Sequence, residues 1–228
     1  MRHPRTAASL TALAAASALL LTGCGGGDDG GSAESDKIEG AGNDKKSTAS
    51  SSPSTKAPND DFGTSNIKLP SDLKLTFDWK KPSDPEKAAA LDGAADYMRA
   101  MTHGTVVQKV KDPLIAKHTV PFQSAQKFAT DVVKEDVKNR HTATGEWPQY
   151  RAKVGEIVKG KLVEVSFCAD QSKFFSKEIK TGKVLRTKPS DKDYMYFTLV
   201  MERASKSAKT WRARTNELKL EAVKECAR

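Results

Sequence analysis

The sequence predicts an α+β domain in which N-terminal helices pack on one face of a curved antiparallel sheet of about four strands, preceded by a disordered tether. Three observations lead to this fold class. Apolar residues recur at helical spacing between residues 85 and 139, they alternate with polar residues after Gly145, and the later segments are joined by links of hairpin length. The stretch of 73–228 has a length that suits one domain with one core.

The domain opens with a short strand or an ordered arm. Its apolar residues alternate with polar ones: Leu73, Leu75, Phe77 and Trp79. A first helix follows, because Asp84 is a good N-cap residue and Pro85 suits the first turn of a helix. The next apolar residues recur at helical spacing, namely Leu91, Ala95, Met98 and Met101. Gly104 fits a C-terminal stop.

A second helix is predicted from about residue 121 to residue 139. Its apolar residues form one broad face: Phe122, Ala125, Phe128, Ala129, Val132, Val133 and Val137. Between the two helices Asp112-Pro113 marks a break, and residues 114–118 fit a short helical turn.

After Thr144-Gly145 the apolar period changes from that of a helix to that of a strand. The first strand of this region passes through Tyr150, and three more are predicted over residues 162–168, 194–203 and 210–220. Thr181-Gly182-Lys183 has the composition of a hairpin turn.

Residues 1–23 have the organisation of a secretory signal peptide. Arg2 and Arg5 precede an apolar run over residues 12–21, about half of the ~20 residues that a membrane-spanning helix needs. Leu21-Thr22-Gly23-Cys24 resembles the bacterial lipobox, in which the chain is cut before the cysteine and the cysteine carries diacylglycerol. This resemblance implies a lipoprotein held by its acyl chains on the extracytoplasmic face of the cell membrane. The alternative is an ordinary signal peptide with a chance cysteine.

Residues 24–72 predict a lipidated flexible tether. The stretch is rich in glycine, serine and aspartate, and its sizeable apolar side chains are few: Ile38, Phe62, Ile67 and Leu69. Such a composition does not bury enough apolar surface to offset the entropy lost on ordering. The folded domain is therefore expected over residues 73–228.

The three cysteines support an exported protein. With Cys24 lipidated, Cys168 and Cys226 remain, and an even remainder in an exported chain favours one disulfide. Two separate buried thiols are the alternative. No cysteine is then left for a catalytic thiol, and the sequence contains neither C-x-x-C nor H-x-x-x-H. We expect no metal site and no cofactor.

The chain carries a formal net charge of +9, and many basic residues fall on predicted strands, out of phase with the apolar ones. Six of them define a predicted basic sheet face: Arg151, Lys153, Lys161, Arg203, Arg212 and Arg214. Such a face would attract anionic headgroups or cell-envelope polymers with an affinity that falls with salt. The alternative is a solvated face interspersed with glutamates. Nucleic acid is not expected as a partner, because aromatic residues make up only 7% of the chain.

The order of elements resembles the nuclear-transport-factor-two-like fold, a cone of curved sheet closed by helices. More narrowly, the chain resembles small exported lipoproteins of streptomycetes. The residues that carry this resemblance are Trp79, Thr142-Ala143-Thr144-Gly145, the segment Val165-Ser166-Phe167-Cys168-Ala169-Asp170-Gln171-Ser172, Lys180-Thr181-Gly182, Trp211-Arg212 and Cys226. The resemblance implies a disulfide-stapled module on the bacterial surface and no particular reaction.

Two functions follow as hypotheses. The first is a non-enzymatic binding module that acts through the mouth of the cone or the basic sheet face, with its ligand and protein partner unidentified. The alternative is a small-molecule enzyme of the proton-transfer type with a pocket inside the cone. Candidate residues for that chemistry are Asp96, Tyr97, His103, His118, Tyr150, Asp170, Tyr194 and Tyr196. None of them lies in a recognisable catalytic signature, so we expect the protein not to be an enzyme.

Overall fold

Residues 62–228 are described by the computed structural model, and in this range helices pack against a curled, mainly antiparallel sheet shaped like a half-barrel. The predicted α+β class is confirmed. The signal peptide, Cys24 and residues 24–61 of the predicted tether lie outside the described residues. Residues 62–72 pack against the domain, because Phe62 is buried and Leu69 contacts the core. The folded region therefore begins before the predicted boundary at Leu73.

Four helices are present in the described range, and the first three correspond to predicted elements. They are α1 (Pro85–Val106), α2 (Pro113–His118), α3 (Ser124–Asn139) and α4 (Val223–Cys226). The predicted cap of α1 is confirmed, since the Asp84 carboxylate accepts hydrogen bonds from the backbone N–H groups of Glu86 and Lys87.

Gly104 does not end α1, contrary to the prediction, and the helix continues to Val106. The reason is packing. A Cβ atom at Gly104 would lie 2.9 Å from Val133 Cγ2 and 3.1 Å from Ile115 Cδ1. Gly104 thus lets α2 and α3 approach α1 closely.

Seven strands are described where about four were predicted. They are β1 (Leu73–Asp78), β2 (His141–Val154), β3 (Leu162–Asp170), β4 (Phe174–Glu178), β5 (Val184–Leu185), β6 (Tyr194–Glu202) and β7 (Arg212–Lys219). The predicted hairpin turn is confirmed between β4 and β5, where Gly182 has φ 70°. These two strands were missed because they are short and only half-buried, so their side chains do not alternate clearly.

Strand β2 pairs with three other strands of the sheet. Its first half pairs with β4 and its second half with β3, both antiparallel, so β3 and β4 follow one another along one edge. Strand β1 pairs with β2 in parallel, with Leu73 opposite Gly145 and Asp78 opposite Tyr150. The far side is built by β6 on β3 and by β7 on β6.

The core lies between the sheet and α1. Aromatic rings contact one another in a row across it. The Phe77 and Trp79 centroids lie 4.7 Å apart in an edge-to-face pair, Trp79 and Phe167 5.1 Å apart, and Phe167 and Phe197 5.2 Å apart in a stacked pair. Helix α1 contributes mainly alanine and methionine to this interface. Gly93 permits the closest approach, because a Cβ atom there would lie 2.7 Å from the Trp211 carbonyl oxygen.

A disulfide joins Cys168 on β3 to Cys226 on α4, with the Cα atoms 5.4 Å apart. The predicted pairing is confirmed. The Tyr150 hydroxyl donates a 2.6 Å hydrogen bond to the Cys226 carbonyl, and Tyr194 and Tyr196 pack around the buried bond. The four-residue helix α4 is thereby fixed to the outer side of the sheet.

A candidate binding groove between two helices

A groove lies between α2 and α3. It encloses about 770 Å³. Its apolar lining includes Val110, Pro113, Ile115 and Ala116, and the chain leading into α3 closes one end. The size falls in the range of small-ligand and peptide-binding clefts.

Phe122 stands at the end of this groove and is 98% exposed. The sequence placed it on the apolar face of the second helix, and that prediction is wrong because the helix begins at Ser124. Phe122 adopts φ 61°, a left-handed conformation that is rare for an aromatic residue. Its backbone N–H is satisfied by a 3.0 Å hydrogen bond to Gln126 Oε1.

The groove is lined by two lysines and two aspartates, and two further lysines lie beside it. Lys111 and Lys127 line it, and Lys109 and Lys117 are exposed beside lining residues. Two acids also line it, and both are engaged. The buried Asp112 accepts from Leu114 N–H and contacts His103 Nδ1 at 2.6 Å, while Asp131 pairs with Lys127.

Two of the six residues of the predicted basic sheet face are engaged within the fold. Arg203 is buried, donates to the Gly160 carbonyl and to Glu86, and stacks on Trp211. Arg214 pairs with Glu202.

The remaining four lie on three elements of the sheet and its turns. Lys153 is exposed at the β2–β3 pairing, Lys161 lies in the turn before β3, and Arg212 is half-exposed on β7. Arg151 donates a 2.8 Å hydrogen bond to the Glu225 carbonyl and faces the Tyr150 ring. Two of the six charges therefore serve the fold, and a third holds α4.

The interior of the sheet is filled by side chains. Val165, Phe197 and Leu199 are fully buried, and Phe128 packs against them from α3. A small cavity between α1, α3 and β2 encloses about 70 Å³, well below the few hundred Å³ of a ligand pocket. At its wall the Asp136 carboxylate accepts a 2.7 Å hydrogen bond from Thr105, and burial raises the pKa of Asp136.

Most of the candidate catalytic residues have structural partners. The Tyr97 hydroxyl donates to the Ala125 carbonyl and accepts from Asn216, and burial raises its pKa. Asp170 accepts from Ser172 N–H in a turn.

Two of the candidates, Asp96 and His118, do come together, and they meet a residue that the sequence did not indicate. His118 Nε2 lies 3.0 Å from the Ser65 hydroxyl. Ser65 was missed because it lies in the serine-rich segment assigned to the tether.

Among residues 62–228, no group of three or more His, Cys, Asp or Glu side chains is arranged to hold a metal ion. Within the same range, no helix has the length and apolar character to cross a membrane. Comparison with protein-family models and with curated protein sequences gives no match for this chain.

Proposed function

We propose that the protein is a lipid-anchored binding module on the extracytoplasmic face of the cell membrane, and that its domain binds the anionic membrane surface through the α2–α3 groove. One observation carries this proposal: an almost fully exposed phenylalanine, Phe122, stands beside an apolar groove with lysines at its rim. An exposed aromatic ring can enter the boundary between headgroups and acyl chains, and the surrounding lysines can contact the anionic headgroups.

The energetics favour a membrane as the occupant. Full burial of a phenylalanine side chain contributes about 1.5–3 kcal/mol, and each lysine near an anionic surface adds about 1 kcal/mol. Such a weak contact is enough if the anchor keeps the domain nearby, because tethering makes the second contact intramolecular. The chain from Cys24 to Phe62 spans at most about 130 Å, so an anchored domain stays close to the bilayer.

We further propose that the domain belongs to the nuclear-transport-factor-two-like, or cystatin-like, cone group of exported lipoproteins. The support is the order of elements, with helices before a curled sheet, together with the Thr142–Gly145 segment and the Cys168–Cys226 bond. Gly145 has φ 100°, and a Cβ atom there would lie 2.0 Å from the Lys173 carbonyl oxygen, so the glycine is required where β2 passes the Lys173 backbone. An experimental structure with a different strand order would contradict this assignment.

The binding proposal is tested with the unlipidated chain from Gly25 onward and vesicles that contain phosphatidylglycerol. We expect Phe122→Asn to weaken co-sedimentation about tenfold, which corresponds to loss of ~1.4 kcal/mol of apolar burial. Leu220→Asn is the control, since Leu220 is an exposed apolar residue far along the chain from the groove. Equal binding by wild type and Phe122→Asn would overturn the proposal, as would no binding at low salt.

The lysines are tested by charge reversal. Lys109→Glu/Lys111→Glu should reduce vesicle binding and flatten its dependence on salt, because electrostatic attraction to the headgroups is lost. Lys180→Glu/Lys188→Glu changes the net charge equally at exposed positions outside the groove and should bind like wild type. If both pairs lose binding equally, net charge alone drives association and the groove is not the contact surface.

Phe122→Asn should also make the protein more stable. The phenylalanine ring has almost no packing to lose, and asparagine adopts the left-handed conformation more readily. We expect a gain of about 0.5–1 kcal/mol in the free energy of unfolding in urea. Weaker binding together with higher stability would show that the wild-type residue is kept for contact with a partner. A loss of stability would instead assign Phe122 a structural role.

A further inference from the structure

Three side chains meet where the segment 62–72 crosses the helices. The Ser65 hydroxyl lies 3.0 Å from His118 Nε2, and His118 Nδ1 lies 3.9 Å from Asp96 Oδ2. His118 and Asp96 are each only 1% exposed. From this arrangement we infer that Ser65 is a nucleophile that hydrolyses esters, with His118 as its general base and Asp96 as the residue that positions the imidazole. This activity is independent of the proposed membrane binding.

The fold holds Ser65 in place through Asp96 and Asp92 on α1. Asp96 accepts hydrogen bonds from Thr64 N–H at 2.9 Å, the Thr64 hydroxyl at 2.6 Å and Ser65 N–H at 3.2 Å. Asp92 accepts a 3.0 Å bond from Gly63 N–H. Gly63 has φ 113°, and a Cβ atom there would lie 2.7 Å from Asp96 Oδ1, so glycine is required for the approach.

His118 is suited to accept a proton. Burial lowers its pKa, the nearby Lys117 lowers it further, and the Asp96 carboxylate opposes both effects. The imidazole is therefore neutral at pH 7. Its Nδ1 atom is buried and makes no hydrogen bond to any described residue, and it faces Asp96. The 3.9 Å gap is longer than in a working triad, and such gaps often shorten when substrate binds.

Ser65 opens onto a cleft of about 440 Å³. Arg99 and Lys74 also line this cleft, and Lys117 Nζ lies 3.5 Å from the Ser65 hydroxyl oxygen. Positive charge at that position stabilises the oxyanion that forms when an ester carbonyl is attacked. Arg99 is engaged by the Phe62 carbonyl and the Phe77 ring. Lys74 and Lys117 are therefore the cations that select the substrate class, which is an ester with an anionic group on its acyl part.

The reaction balances with water as the only co-reactant. Ser65 Oγ bonds to the ester carbonyl carbon, and its proton passes to His118 Nε2. The carbon–oxygen bond to the alcohol breaks, and His118 returns the proton to the leaving alkoxide. Water then attacks the acyl-serine, His118 again takes and returns a proton, and the carboxylic acid leaves with Ser65 restored.

The test is labelling of the unlipidated chain with a fluorophosphonate probe, followed by peptide mass mapping. We expect one adduct, on the peptide that contains Ser65, with none in Ser65→Ala and at least tenfold slower labelling in His118→Gln. Ser207→Ala, an exposed serine on another loop, should label like wild type. A purely structural Ser65 would give no adduct at all.

The pH profile of labelling tests the positioning role of Asp96. The groups that face His118 are Asp96 from α1, Lys117 from α2 and Ser65 from the segment before β1. Asp96→Asn removes the charge that raises the His118 pKa, so the midpoint of the profile should move to lower pH. Absence of an adduct on Ser65 in the folded protein, or labelling of His118→Gln at the wild-type rate, would overturn the proposal.

Discussion

At the scale of single residues, His118 links stability to pH. Its pKa in the folded state lies below the unfolded value of about 6.5, because burial disfavours the imidazolium. The unfolded chain therefore binds more protons in the window below pH 6.5. It follows that His118 contributes stability above that pH, and the contribution is lost as the pH falls toward the folded-state pKa.

We expect the free energy of unfolding in urea to decrease from pH 7.5 to pH 5.5, and to decrease less in His118→Gln. Other titrating groups, such as the buried Asp136 with its raised pKa and Asp72 with its pKa lowered by Lys177, are common to both proteins. Their effects cancel in the comparison. Equal slopes for the two proteins would show that His118 does not titrate differently in the folded state.

At the scale of elements, the disulfide holds α4 against the sheet. This helix has only four residues, too few for independent stability, and it is held by Cys226 and by the Tyr150 hydrogen bond. The bond spans 58 positions, so the chain-entropy model gives a stabilisation of up to about 4 kcal/mol. The free energy of unfolding of Cys168→Ser/Cys226→Ser should therefore be lower by a comparable amount, and its urea midpoint should be lower than that of the wild type.

Urea unfolding in the presence of a reductant is the matched measurement for this prediction. The reductant should lower the urea midpoint of the wild type and leave that of Cys168→Ser/Cys226→Ser unchanged. If the double variant is as stable as oxidised wild type, α4 is held by packing alone. We also expect α4 to show faster amide exchange than α1 in the reduced protein, since the core beneath α1 does not depend on the bond.

Sequence patterns predicted some elements well and others poorly, for identifiable reasons. Helix α1 was predicted from its cap, and β6 from an alternation that its burial reproduces. Strand β3 was predicted from Val163, Val165 and Phe167, which are all buried, although its other face is largely buried as well. The strand β4 and the Phe122 loop depend on tertiary context: β4 is half-buried on both faces, and Phe122 is apolar yet exposed. The sequence did not indicate Ser65 because it lies in a segment of low apolar content. That segment is held by hydrogen bonds to carboxylates on α1, which lie about 30 residues away in the chain.

At the scale of the whole molecule, the predicted lipid on Cys24 decides where the domain acts. Cys24→Ala removes the thiol sulfur that the lipobox resemblance predicts to be joined to diacylglycerol. We expect the variant to be released into the medium or to accumulate as precursor. Fractionation of cells with an antibody to the domain measures this outcome, and Ser32→Ala in the same N-terminal region is the control. Unchanged membrane retention of Cys24→Ala would contradict the anchor.

The bonds from residues 63–65 to Asp92 and Asp96 have a mechanical consequence for an anchored domain. A pulling force applied to the chain before Phe62 reaches these hydrogen bonds before it reaches the β1–β2 ladder. They act in series with the tether and with the buried Phe62 side chain, so they open as Phe62 is withdrawn while the sheet stays folded. Tension between membrane and domain would then draw Ser65 away from His118 first. The ester hydrolysis proposed for Ser65 would therefore slow under mechanical load.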